Sequence, residues 1–197
     1  MPGKHIVRNS TAAIALAVEL LKNERSATAM SADDIMKIRN GIANFCGAKR
    51  RSEIVGKVGD VLVMDDYAHH PTAIKTTLQG LKAFYPSRRL VVDFMSHTYT
   101  RTAALFDDFA KAFDCADEVI LHKIYPSARE KYDGTVTGRA LFEQTKKYHN
   151  NVHYFEEVMD AEDYVRSSLK DGDLFITMGA GDNWKLGKAF IEKGKKL

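Results

Sequence analysis

No apolar run in this sequence approaches the roughly 18 residues that a bilayer span needs, and no secretory pattern stands at Met1. Only two cysteines occur, Cys46 and Cys115, without metal-ligand spacing and without a disulfide framework. They read as two buried thiols in a reducing compartment, and the chain as cytoplasmic, with no membrane partner. The formal charge is only +3 over 197 residues, so no nucleic acid or other polyanion is expected. The basic clusters are Lys49-Arg50-Arg51 and a solvated C-terminal Lys193-Gly194-Lys195-Lys196. A G-x-x-x-x-G-K-[ST] phosphate loop is missing, so any triphosphate cradle lies elsewhere. No G-x-G-x-x-G follows a strand, which speaks against a nicotinamide oxidoreductase, and neither HExxH nor CxxC supports a zinc centre. Internal repeats and low-complexity segments are lacking too.

What is present is ordinary for a globular protein: 45% hydrophobic and 28% charged residues, enough for one good core or one domain plus part of another. The organising stretch is Val61-Leu62-Val63-Met64-Asp65-Asp66-Tyr67-Ala68-His69-His70-Pro71. Four apolar residues predict a buried strand, which runs into ionisable groups. Pro71 then pre-sets the first turn of a helix through its fixed φ and missing N–H. An open α/β sheet places its ligand at such strand ends.

Residues 10–21 are apolar on nearly all sides and predict a helix with Ser10 as N-cap, one that belongs inside a larger body. Ser31-Ala32-Asp33-Asp34 is a capping pattern that opens a second helix, marked by Ile35, Ile38, Ile42 and Phe45. Neither helix has a strand beside it to cover, which suggests a body N-terminal to this one. Residues 49–59 read as a polar linker entering an extended segment. Five strands are expected at 61–64, 90–95, 118–124, 152–155 and 174–178. Helical stretches alternate with them: Ile74, Leu78, Leu81 and Phe84 mark the first, Leu105, Phe106, Phe109 and Phe113 the second. Leu141 and Phe142 mark the third, Ala161, Tyr164, Val165 and Leu169 the fourth, and a last helix covers about 184–191. The expected class is α/β, a Rossmann-like, mostly parallel sheet with helices on both faces.

The strand ends then share one edge. They bring Asp65, Asp66, Tyr67, His69 and His70 together with His97, Tyr99, Thr100 and Arg101, with Tyr125, Ser127, Arg129 and Glu130, and with Gly179-Ala180-Gly181-Asp182. Asp65-Asp66 suits either magnesium or the N-cap of the following helix. His69-His70 suits hydrogen bonding to a ligand better than metal ligation, since adjacent side chains rarely converge on one ion. Arg101 opens a helix, where a cation opposes the macrodipole, so an anionic ligand or a surface salt bridge should balance it. The Gly-Ala-Gly-Asp run is either a nucleotide-binding turn or only a tight strand-to-helix turn.

DDYAHHPTAI, SHTYTRT, IYPSARE and MGAGDNWK, in that order, resemble the C-terminal domain of the Mur ligases, and KHIVRNSTAAIALA and GIANFCGAKRR resemble the end of their central ATPase domain. The resemblance implies a remnant of that central domain at 1–46 and the Mur ligase C-terminal domain at 47–197. The missing N-terminal and central domains would then be its partners. It further implies an ATP-dependent ligase using Mg²⁺, held mainly by the central domain, that joins L-alanine to UDP-N-acetylmuramate through an acyl phosphate in peptidoglycan precursor synthesis. By the same match His5 and Asn9 lie near adenine, and Arg51 reaches the phosphates. Asp66, Tyr67 and His69 lie near the ribose and reacting centre, with Asp66, Arg51 and His69 the catalytic candidates. His97 and Arg101 hold substrate carboxylates, and Thr98 stands where a second arginine is frequent. No metal ligand is assigned within the chain. Two alternatives stay open: a related ligase recycling a murein tripeptide, and a stand-alone module that binds a nucleotide or anion without catalysis.

Overall fold

Nothing between Lys4 and Asn9 stops a helix, and the first helix, α1 (Lys4–Arg25), starts well before Ser10. Its N-cap is Gly3, with no side-chain cap, and Ser10 lies inside the helix rather than ahead of it. The computed structural model describes residues 3–128, 130, 134 and 136–194. Arg129, Lys195 and Lys196, singled out in the sequence, lie outside these. Helix α2 (Ala32–Ala43) starts as its sequence predicts, with the Ser31 hydroxyl accepting from the Asp34 N–H at 3.1 Å. Arg25 pairs with Asp34 and ties the two helices together. No residue of α1 is buried, and Val7 (67% exposed), Leu16 (62%) and Phe45 (60%) leave a broad apolar surface uncovered.

The stretch read as a linker holds a strand, β1 (Glu53–Val58), antiparallel to β2 (Val61–Asp66). Its polar, glycine-containing sequence hides the period of two because β1 is an edge strand with no fully buried residue. After β2 come α3 (Pro71–Phe84), β3 (Leu90–Met95), α4 (Tyr99–Ala104), α5 (Phe106–Ala110) and β4 (Glu118–Leu121). Then follow α6 (Gly138–Thr145), β5 (Val152–Tyr154), a 3₁₀ turn (Val158–Ala161), α7 (Glu162–Ser168), β6 (Leu174–Gly179) and α8 (Trp184–Gly194). The expected strand 118–124 stops at Leu121, and the second helix breaks at Leu105, whose φ of −120° interrupts the spiral. The fourth begins as the 3₁₀ turn. Cys46 is exposed and Cys115 partly buried, so neither is the fully buried thiol expected.

The sheet order is β1-β2-β6-β3-β4-β5, and every pairing except β1·β2 is parallel. Alternation sends Met64, Val92, Phe94 and Ile176 to one face, under Ile74 and Leu78 of α3, Phe109 of α5 and Leu141 of α6. Val63, Val91, Ile120 and Phe175 meet Val165 of α7 and Leu186 and Phe190 of α8 on the other. Each such side chain contributes about 1.5–3 kcal/mol on burial, so both helix layers stabilise the sheet between them. The parallel strands then end together, which fixes the edge where the polar loops meet.

Buried polar groups interrupt the second layer. Asp93 on β3 and His122, just past β4, are fully buried, with Oδ1 and Nε2 2.6 Å apart. The His122 Nδ1 lies 3.1 Å from the Phe155 carbonyl, and Asn183 Nδ2 lies 2.8 Å from Asp93 Oδ2 and 3.0 Å from the Met178 carbonyl. Burial alone would lower the His122 pKa, but the Asp93 carboxylate and its hydrogen bond outweigh that and raise it. A raised folded-state pKa gives stability that is complete below the ordinary value of about 6.5 and fades as pH climbs through the folded value. The melting temperature of the chain should therefore fall on titration upward from about pH 6.5, by more than in His122→Gln. Parallel melting curves for the two proteins check this by calorimetry, and equal pH slopes would contradict it.

Candidate functional site

Strand β2 ends with its two carboxylates on opposite faces, and each has a different set of partners. Asp65 Oδ2 accepts from Arg50 Nε at 2.9 Å, and Oδ1 accepts from the Thr177 hydroxyl at 2.8 Å. Burial raises its pKa, against the pull of Thr177 and Arg50. Asp66 Oδ2 accepts from the Ser52 N–H (2.7 Å) and hydroxyl (3.2 Å), and Oδ1 from the Ala68 N–H (2.8 Å). Neither caps α3. That position belongs to His70, whose Nδ1 accepts from the Thr72 N–H at 3.3 Å. Protein donors thus occupy both carboxylates, and no group of three potential metal ligands exists among the described residues.

A cleft of ≈ 880 Å³ opens between α1, α2 and the start of α3. Its walls are largely apolar, with Ile6, Ala13, Ile42, Phe45, Ala68 and Ala73 among them. The polar residues His5, Asn9, Arg51, Asp66, Thr72 and Thr76 share this lining, and the Thr76 hydroxyl donates to the Thr72 carbonyl at 2.7 Å. His5 Nδ1 is buried without a hydrogen-bond partner among the described residues. An apolar slot of this size with a few polar groups is the usual form of a small-molecule site. An imidazole, an amide and a guanidinium in one lining fit a heteroaromatic base followed by an anion. Four of the residues predicted to contact nucleotide, His5, Asn9, Arg51 and Asp66, therefore share one cavity.

Tyr67 and His69 do not line the cleft. The Tyr67 ring lies against both guanidinium groups of the linker, 5.1 Å from that of Arg50 and 5.8 Å from that of Arg51. Its edge meets His69 at 4.9 Å, and His69 Nδ1 is 2.8 Å from the Tyr67 carbonyl. His69 in turn faces His97 closely enough to act on its charge. Burial first, then Arg101 and His69, hold His97 below the usual histidine range, against Glu130. The ring of His97 stacks on Tyr125 at 5.9 Å. Tyr67 and His69 thus link the cleft to a second cluster at the ends of β3 and β4.

In that second cluster Arg101 donates to the His97 carbonyl at 3.4 Å and forms no ion pair among the described residues. The helix N-terminus beside it already holds an anion. Glu130 accepts from the Tyr99 N–H at 2.7 Å and the Thr100 N–H at 2.8 Å, and hydrogen bonding from Thr100, its side chain first, and from Tyr99 lowers the Glu130 pKa. Glu130, left without a role in the sequence, thus joins the N-cap Thr98 in satisfying the first N–H groups of α4, while the Arg101 guanidinium has no counter-charge among the described residues. Asp182 pairs with Lys185 in the first turn of α8. The Gly-Ala-Gly-Asp run is a close-packed turn: Gly179 has φ 130°, and a Cβ there would come within 2.3 Å of the Met95 carbonyl oxygen.

Sequence reasoning passed over Arg50, seen only as part of a basic cluster, and Ser52, Thr72 and Thr76. A serine next to two arginines before a strand carries no signal of its own. Their pairing with β2 or the cleft appears only once the chain is folded.

Against known proteins, residues 50–181 match the family described as Mur ligase, glutamate ligase domain. A curated UDP-N-acetylmuramate–L-alanine ligase from Treponema pallidum is 53% identical over 196 residues, covering 100% of this chain and 40% of the relative. The chain thus spans about two fifths of the length of such relatives. The crystal structure of a UDP-N-acetylmuramate-alanine ligase from Thermotoga maritima superposes with a TM-score of 0.76 at 26% identity, over 100% of this chain and 39% of that one. A murein peptide ligase from Psychrobacter arcticus superposes with a TM-score of 0.65 at 25% identity, over 100% and 38%. With the family match extending over more than half of the sequence, the chain belongs to the Mur ligase family.

Proposed function

We propose that this chain is the C-terminal part of an ATP-dependent ligase that joins L-alanine to UDP-N-acetylmuramate. Residues 1–46 would be the end of a central ATPase domain and 47–197 the lobe that closes over the nucleotide. The observation that carries this reading is the convergence of His5, Asn9, Arg51 and Asp66 on one ≈ 880 Å³ cleft. The uncovered apolar faces of α1 and α2 agree with it, since helices of that kind are stable only against another body.

In this reading ATP supplies the phosphoryl group that activates the muramyl carboxylate. His5 and Asn9 bind the base at the apolar end of the cleft. Arg51, at its rim, stabilises charge on the phosphate oxygens, where a fixed cation acts without reorganisation. Asp66 orients the linker and the ribose side of the cleft. His97, kept neutral by burial and by Arg101, can hydrogen-bond a substrate group without adding charge, while Arg101 clamps a carboxylate. Tyr67 and His69 form the wall between the two regions. Asp65 and Asp66 are already held by protein donors and suit Mg²⁺ poorly, which supports metal ligands mainly in the rest of the ligase.

Purified alone, the chain should give no alanine-dependent ADP release, whereas the complete ligase should. A coupled ADP assay checks this, and turnover by the chain alone would overturn the reading. In the complete ligase, Arg101→Ala should lower kcat/KM for alanine by about 10–100-fold, the equivalent of losing one charged hydrogen bond of ~1.5–3 kcal/mol. An unchanged alanine KM and kcat would remove Arg101 from the site.

A further inference from the structure

Between α2 and β1 the backbone turns left-handed at Gly47 (φ 103°), Arg50 (φ 56°) and Ser52 (φ 46°). Glycine adopts this conformation freely, but an arginine and a serine need to be held in it. Arg51 lies between the two strained residues, so they set the direction in which its side chain leaves the linker. Arg50 is held at four points. Its N–H donates to Glu53 at 2.7 Å, and its carbonyl accepts from the Tyr67 N–H at 2.8 Å. Its Nε donates to Asp65 at 2.9 Å and its Nη2 to the Gly179 carbonyl at 2.8 Å. Asp65 is the last residue but one of β2 and Gly179 ends β6, so one side chain fastens the linker to the ends of two neighbouring strands. Only a planar fork with several fixed donors reaches both acceptors, and a lysine ammonium does not replace it.

We propose that Arg50 is a positioning residue: by bridging Asp65 and the Gly179 carbonyl it holds the linker in the left-handed form that faces Arg51 into the cleft. Nucleotide affinity then depends on Arg50 through Arg51. That second step rests on the reading of the cleft as a nucleotide site, while the first does not.

Amide hydrogen exchange on this chain tests the first step. In Arg50→Ala the Ser52 and Tyr67 amides should exchange at least tenfold faster, with Val63 and Ile176 in the sheet unchanged and Arg50→Lys restoring only part of the protection. Unchanged protection at Ser52 and Tyr67, or loss throughout the sheet, would overturn the proposal. The second step is read in the complete ligase. Arg50→Ala should raise the ATP KM about tenfold with kcat little altered, and the Arg50→Ala/Arg51→Ala double variant should be no weaker than Arg51→Ala alone. Additive losses would refute action through Arg51. If Arg51→Ala leaves the ATP KM unchanged, the nucleotide reading fails and with it the link to affinity, whereas the exchange data still decide whether Arg50 holds the linker.

Discussion

Two adjacent carboxylates stand at the buried end of β2, and ionised groups in such a place must be paired or fully hydrogen-bonded. What satisfies them is the segment that joins the first two helices to the sheet. Asp65 takes the Arg50 guanidinium, and Asp66 takes the Ser52 amide and hydroxyl. The requirement is mutual, because the same contacts hold two non-glycine residues in left-handed backbone, which costs about 1–3 kcal/mol each. Without the carboxylates the linker would have no reason to adopt this path, and without the linker the end of β2 would carry uncompensated charge. That linker forms part of the wall of the cleft between α1, α2 and α3, through Ala48, Arg51 and Ser52.

Behind this edge the sheet is fastened by a second buried group. Asn183 reaches from the start of α8 to Asp93 and to the Met178 carbonyl, and His122 binds Asp93 from the neighbouring strand end. These contacts set the turn from β6 to α8, whose Gly179 carbonyl receives Arg50. The close approach of Gly179 to the Met95 carbonyl oxygen admits no side chain, so the turn is fixed by packing as well as by hydrogen bonds. The two polar systems meet on adjacent residues at the end of β6, Asn183 at the Met178 carbonyl and Arg50 at the Gly179 carbonyl.

Of the five parallel strands, β2, β3, β4 and β6 were legible as largely apolar runs, as burial on both faces demands, whereas β5, at the sheet edge with no buried residue, offered only Val152 and Tyr154 around His153. The edge strand β1 was not legible, since Glu53, Gly56 and Lys57 carry no alternation and no residue of β1 is fully buried. The break between α4 and α5 was hidden because Phe106 and Phe109 keep helical spacing across it. Among site residues, Asp65 and Asp66 look alike in sequence. Their different partners, Arg50 and Ser52, come from strand alternation combined with a linker path that no local pattern encodes. Glu130 was equally opaque, since its acceptors' partners lie at Tyr99 and Thr100, far back in the chain. The resemblance to Mur ligases pointed to His5, Asn9, Arg51 and Asp66 together, and folding brings those four to one cavity. It pointed to Tyr67 and His69 as well, and these stand outside it.

The central claim is that this cavity receives a nucleotide. The direct measurement is an NMR titration of the isotope-labelled chain with ADP, following backbone amides and the His5 ring. The account predicts saturable shifts at His5, Asn9, Arg51, Thr72 and Thr76, with the amides of β4 and β5 unmoved. Shifts confined to other surfaces, or none at millimolar ADP, would contradict it.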